Sequence, residues 1–130
     1  MRLFAIAVLT GGTAAVAAPI PTRTPIGSFP IGPAKTVTRV EMSRVDFLPG
    51  QTMPEHLHPV PVACVVSKGN FVVSIGRQAV RTVSVGDTTI EHAGEPVHYF
   101  RNTSVNDPAQ LFCTILAGPD DRQLSVMLAK

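Results

Sequence analysis

Three histidines stand where a metal clamp could be built. His56 and His58 lie two residues apart in the segment Gly50-Gln-Thr-Met-Pro-Glu-His56-Leu-His58-Pro59, and His98 follows about forty residues later, within His98-Tyr-Phe-Arg-Asn102. Alternate side chains of an extended strand leave the same face roughly 6.5–7 Å apart, so His56 and His58 can tip toward one cation. His98 is placed to close the triangle. Neutral imidazole suits Zn, Cu, Fe and Ni alike, so the spacing points to a divalent first-row metal without choosing one.

The elements that must carry these residues read as β-structure. Val, Thr, Ile and Phe dominate the interior of the chain, and Gly and Pro recur as punctuation. Residues 36–48 read as a strand with Val40 and Met42 in one phase and Val45 and Phe47 in the other, a slip that predicts a bulge near Ser43. Val60 to Ser67 is a nearly continuous apolar run suited to a strand buried on both faces. Lys68-Gly69-Asn70 reads as a hairpin turn before alternating Phe71, Val73 and Ile75, and Gly76-Arg77-Gln78 turns the chain again. Short strands follow over residues 80–85, 88–91, 97–102, 110–117 and 124–128, divided by turns such as Gly86-Asp87 and Asn106-Asp107-Pro108. Many short strands at this spacing predict an all-β sandwich or small barrel of jelly-roll type.

Residues 1–18 have the layout of a secretory signal: Arg2, an apolar run over residues 3–9, and small residues up to Ala17 and Ala18 where a peptidase could cut. The run is too short to span a bilayer, which takes about 20 helical residues. The expectation is an exported protein, periplasmic or secreted, with no membrane attachment once the signal is cleaved. Residues 19–35, with Pro19, Pro21, Pro25, Pro30 and Pro33, read as an extended arm along the domain edge. What remains after the signal, roughly 110 residues, can bury one core and not two, so residues 36–130 read as one domain. A net charge of +2 with no basic run gives no footing for nucleic acid. Cys64 and Cys113 lie in the apolar runs VACVV and LFCTIL and read first as buried, reduced thiols. They could be bridged only if their strands were neighbours in register.

The two histidine segments resemble the paired motifs of the cupin superfamily, over a stretch from about Val40 to Ala117. Gly50, His56, His58 and Gly69 fit the first motif, and Gly86, Gly94, His98 and Asn102 fit the second. Three positions depart from the pattern. The glutamate of the first motif falls on Val62, His92 replaces the proline of the second, and one extra residue lies between Gly94 and His98. The set that remains is three imidazoles, unless Glu91, just before the second turn, supplies an oxygen.

The resemblance implies a cupin-type (RmlC-like) jelly-roll β-barrel whose mouth holds Fe, Mn, Zn, Ni or Cu on His56, His58 and His98, with Glu91 as a further candidate ligand. Phe47, Val62, Phe71 and Phe100 are expected to line an apolar pocket for a small organic ligand or substrate. If the protein is an enzyme, the family implies a metal-dependent dioxygenase or a metal-assisted isomerase or lyase; the alternative is a non-catalytic periplasmic module that binds a small molecule or metal. Family members also pair as homodimers. Catalytic residues beyond the ligands are unassigned, because Glu91, Tyr99 and His92 are the available acids and bases and none stands out.

Overall fold

A computed structural model describes residues 20–128 of the chain, so the signal expected at residues 1–18 lies outside the described residues. Among those residues the chain forms strands β1 (Arg39–Phe47), β2 (Thr52–Met53), β3 (His56–Leu57), β4 (Val62–Lys68), β5 (Asn70–Ile75), β6 (Arg81–Ser84), β7 (Thr88–Glu91), β8 (Pro96–Asn102), β9 (Ala109–Ala117) and β10 (Val126–Met127). They build two antiparallel sheets that face each other. One has the order β1-β9-β4-β7; the other has the order β10-β3-β8-β5-β6, with β2 also paired to β8.

Period-two alternation sets which side chains point between the sheets. On β4, Val62, Cys64 and Val66 are buried while Ala63, Val65 and Ser67 between them are half-buried. This central strand therefore has one closed and one partly covered face. On β1, Ser43, Val45 and Phe47 point inward and Val40 and Met42 lie exposed on the outside. The bulge expected near Ser43 is absent: β1 pairs with β9 without interruption from Arg39↔Ala117 to Phe47↔Ala109. What looked like a phase slip is a regular strand with apolar residues on both faces.

The turn at Gly69 also differs from the expected hairpin, because β4 and β5 belong to different sheets and Gly69 carries the chain across. Its φ is +75°, and a Cβ there would come 2.7 Å from the Ala109 Cβ, so a side chain would clash as well as strain the backbone. The turn after β5 is a true hairpin, with Val73 paired to Arg81 across it.

At the closed end, Phe71 stacks edge-on against Phe47 and Phe100 at centroid distances of 5.0 and 5.2 Å. Val62, Val66, Val73, Ile75, Val83 and Val97 complete a buried core around them. The opposite end opens as a cavity that reaches His56, His58 and Glu91.

Residues 20–38 form no strand. The Thr88 hydroxyl donates to the Ile26 carbonyl at 3.2 Å, and Gly27 and Phe29 lie with Ala63, Val65 and Phe112 on the outer face of the first sheet. The arm thus crosses a sheet face near β7. At its end Lys35 is ion-paired to Asp121, whose Oδ2 also accepts the Gly118 N–H at 2.5 Å.

Candidate metal centre in the mouth of the barrel

His56 lies on β3 in one sheet and Glu91 ends β7 in the other, so a cluster that includes both spans the two sheets. His58 follows β3, and its carbonyl accepts the Gly94 N–H at 2.8 Å, which seats the turn after β7 against the His-x-His segment. His56, His58 and Glu91 each offer one ligand atom, and these atoms lie within 4.8 Å of one another. His56 is 7% exposed and Glu91 5%, so the cluster is withdrawn from bulk water.

The hydrogen bonds around the imidazoles fix which nitrogen faces the cluster. His56 Nδ1 donates to the Pro54 carbonyl at 2.8 Å, and His58 Nδ1 donates to the Leu124 carbonyl at 2.6 Å. Both rings therefore direct Nε2 inward as the metal-binding atom, the arrangement by which backbone carbonyls orient metal-bound histidines. His58 Nε2 lies 3.1 Å from Glu91 Oε2. With Nδ1 donating to Leu124, a neutral His58 would present a lone pair to a carboxylate that can only accept. That contact needs a proton or a cation between the two atoms. The donor set therefore fits a divalent metal, and the three residues form a possible metal site.

Glu91 reaches this position because of register. It sits directly opposite Val62 on the neighbouring strand, the position where the family motif carries its glutamate. Opposed residues of an antiparallel pair have Cβ atoms about 4.5–5.5 Å apart, so a carboxylate can be supplied from either strand to nearly the same point.

His98, expected as the third imidazole, is not brought to the cluster. His56 pairs with Val97, and Val97 is the residue of β8 that points inward beside it. Between β5 and β8 the register steps from Ser74↔Tyr99 to Ile75↔Val97, which leaves His98 as the extra residue of a bulge. The additional residue between Gly94 and His98 in the sequence is absorbed here, and the shift sends the ring outward. His98 is exposed, with Nδ1 at 2.7 Å from Glu55 Oε1. His98→Ala is accordingly expected to leave metal content unchanged and to cost about 0–1 kcal/mol, the range for an exposed ion pair. Elemental analysis and denaturation of the variant check both statements, and loss of the metal would restore His98 to the site.

A cavity of about 140 Å³ opens beside the cluster. Of the residues expected to line it, Phe47, Val62 and Phe100 do so, and Phe71 lies beneath them in the core. Residues whose contribution depends on pairing, and which the sequence did not reveal, complete the wall: Val45, Met53, Leu111, Ile115, Cys113 and Met127, with Ser43 and Ser125 as its polar members. None of the lining residues is a lysine or arginine. His92 is half-buried in the turn after β7 and does not join the cluster, and Tyr99 faces the outside of the second sheet with Arg101.

Cys64 and Cys113 are joined by a disulfide, with Cα atoms 4.1 Å apart, and this corrects the reading of both as reduced thiols. β4 and β9 are neighbours and Cys64 opposes Cys113 in register, a condition that spacing along the chain cannot reveal.

Burial alone would push the His58 pKa down, but the hydrogen bonds to the Glu91 carboxylate and the Leu124 carbonyl, together with the Glu91 charge, outweigh it and raise the pKa above the ordinary value. A raised folded-state pKa stabilises the metal-free protein fully below the unfolded value of about 6.5 and loses that contribution as pH rises through the folded value. Metal affinity runs the other way, because the cation must displace the same proton. Metal-free protein should therefore lose stability as pH rises from about 6.5 through the raised folded-state value while metal binding tightens, and denaturation and metal titration over the same pH series check the opposed slopes.

The comparisons with known proteins agree with this architecture. The sequence profile described as Cupin domain matches residues 43–115, and the chain belongs to the cupin domain family. No curated protein matches the sequence. Among solved structures, an oxalate oxidase is similar at 28% identity and a TM-score of 0.60, covering 68% of this chain and 46% of its own. A protein with a double-stranded β-helix domain from Klebsiella pneumoniae is similar at 20% identity and a TM-score of 0.56, covering 70% of this chain and 71% of its own. An RmlC-like cupin from Shewanella frigidimarina is similar at 17% identity and a TM-score of 0.54, covering 63% and 69%. This chain spans about half the length of the oxalate oxidase structures it matches.

Proposed function

We propose that the protein is an exported mononuclear metal cupin that oxygenates a small, weakly polar organic molecule, with His56, His58 and Glu91 as ligands. The observation that carries this reading is the apposition of His58 Nε2 and Glu91 Oε2 at 3.1 Å while both histidine Nδ1 atoms are committed to backbone carbonyls. Two histidines and one carboxylate with open positions are a set suited to Fe(II) and oxygen chemistry. When bound there, such a metal would polarise a substrate oxygen and hold it close to O₂.

The chain's own side chains do the rest. The Pro54 and Leu124 carbonyls hold the two rings in a single tautomer, and the apolar wall excludes water from the reacting face. Beyond the three ligands, the cavity is lined among the described residues by no carboxylate, histidine, lysine or tyrosine to act as a separate base. That absence favours oxygenation over isomerisation or elimination, which need a positioned base. The oxalate oxidase likeness does not transfer its substrate, since a dianion entering beside Glu91 would meet no lysine or arginine among the described residues of the wall. The volume, about 140 Å³, is close to that of the roughly 150 Å³ apolar cavity known to admit benzene.

Export is supported by the leader-like residues 1–18 and by the disulfide, which persists in an oxidising compartment. The test is elemental analysis of protein recovered from its own compartment, followed by oxygen uptake by the Fe(II)-loaded protein with a panel of neutral diketones, catechols, flavonols and thiols. Uptake with at least one neutral compound and none with oxalate is the expected result. Metal binding without turnover of any of them would leave a binding module in place of an enzyme.

A further inference from the structure

The inward face of the first sheet is organised in rows. Glu41, Ile115, Val62 and Glu91 are successive cross-strand partners, and the next row inward is Ser43, Cys113, Cys64 and Thr89. The disulfide therefore lies one row below the candidate metal ligands. Its two halves are not equivalent. Cys113 lines the cavity together with Ser43, while Cys64 does not and instead borders the recess on the outer face of the sheet, beside Gly27 and Phe29 of the arm. Cys64 also opposes Thr89 on β7, and Thr89 is 1% exposed with a hydroxyl that finds no hydrogen-bond partner. An orphaned buried hydroxyl is left without compensation for its lost hydration and calls for an explanation.

We propose that Cys64–Cys113 is a thiol-exchange site that small thiols reach through the cavity, with Cys113 the sulfur attacked and Cys64 the sulfur released. A thiolate, having given its proton to solvent, attacks Cys113 Sγ; the new S–S bond forms to Cys113, the Cys64–Cys113 bond breaks, and its electron pair leaves on Cys64. In an apolar core that leaving thiolate is disfavoured, and a low-pKa leaving group is what exchange requires. Thr89 stands opposite Cys64 on the neighbouring strand, from where its unpartnered hydroxyl would donate to the emerging anion, which then takes a proton from solvent. A second thiolate attacking the mixed disulfide releases the oxidised small-molecule disulfide and leaves Cys113 reduced, so two thiols are oxidised as one protein disulfide is reduced. No metal takes part, and the inference stands apart from the oxygenase reading.

The experiment compares 2-mercaptoethanol with a thiol-terminated polyethylene glycol on the folded protein, with the products trapped by acid and mapped by mass. The small thiol is expected to form its adduct on Cys113 at least roughly tenfold faster than the polymer, with the difference gone in denaturant, because access is a rate term in exchange. Thr89→Val should slow the step about tenfold, the equivalent of one hydrogen bond to a charged group, and Thr89→Ser should restore it. Independently of Thr89, the single thiol of Cys64→Ala should be labelled rapidly by a small methanethiosulfonate, and that of Cys113→Ala should be protected. Equal rates for the two thiols would mean that exchange follows unfolding, and an adduct on Cys64 would reverse the assignment; either result overturns the proposal. Repeating the exchange after chelation separates it from the metal reading, since the rate should persist.

Discussion

Glu91→Gln is expected to abolish stoichiometric metal binding while leaving the metal-free protein at least as stable as the parent. The substitution keeps the shape of the side chain and removes its charge. Without metal, the parent needs a proton between His58 Nε2 and Glu91 Oε2, because His58 Nδ1 already donates to Leu124. A glutamine amide can donate to that lone pair, so a neutral His58 becomes fully satisfied with no buried charge to hold. The metal, by contrast, loses its one anionic ligand. Even an outer partner of a metal-bound histidine is worth about 10–100-fold in affinity, so the loss here should be at least about 100-fold. His56→Ala and His58→Ala should also strip the metal. Titration with Zn(II) and anaerobic Fe(II), set beside denaturation of the metal-free forms, reads the two effects separately. Retention of tight binding in Glu91→Gln would remove Glu91 from the ligand set.

Most of the fold was legible because it follows local rules. Turns at Gly76 and Gly86-Asp87, the alternation on β5 and the apolar run of β4 each locate an element without knowledge of its neighbours. His56 and His58 were legible for the same reason, since two residues apart on a strand means one face. What spacing could not supply was register. Glu91 enters the site because it faces Val62 across β4 and β7, and Cys64 meets Cys113 because β9 lies beside β4.

His98 shows the limit most clearly. Its spacing to Asn102 matches the family motif, yet the one-residue excess after Gly94 was also visible in the sequence, and it was the observation that mattered. In a strand of period two, a bulge at the histidine itself exchanges inside for outside, and β8 places Val97 where an imidazole was expected. Leu124 has no sequence signal at all, because it acts through its carbonyl; the segment after β9 is exposed and irregular, and only its return to pair as β10 with β3 brings that oxygen to His58.

Reducing Cys64–Cys113 is expected to lower the stability of the domain by about 4 kcal/mol, the chain-entropy value for a closed loop of this size, given the sequence separation of 49. The bridge joins the two central strands of the first sheet, which remain hydrogen-bonded to each other from Val62↔Ile115 to Lys68↔Gln110 without it. Its effect therefore falls mainly on the unfolded chain, which the cross-link keeps compact, and little on the native sheet. Two consequences separate this account from a loss of native contacts. The reduced protein should show a larger denaturant slope, since its unfolded state exposes more surface. Its melting temperature should fall by roughly 15–30 °C, given about 4–8 °C per kcal/mol in a domain near this size. Comparing oxidised and reduced forms of the same chain avoids the cavity that Cys-to-Ala variants would open beside Val66 and Leu111. A shift below about 1 kcal/mol with an unchanged slope would place the stabilisation elsewhere in the fold. If the full shift is found, protein made in a reducing cytoplasm should melt well below protein recovered from an oxidising compartment, and that comparison bears directly on whether the chain is built for export.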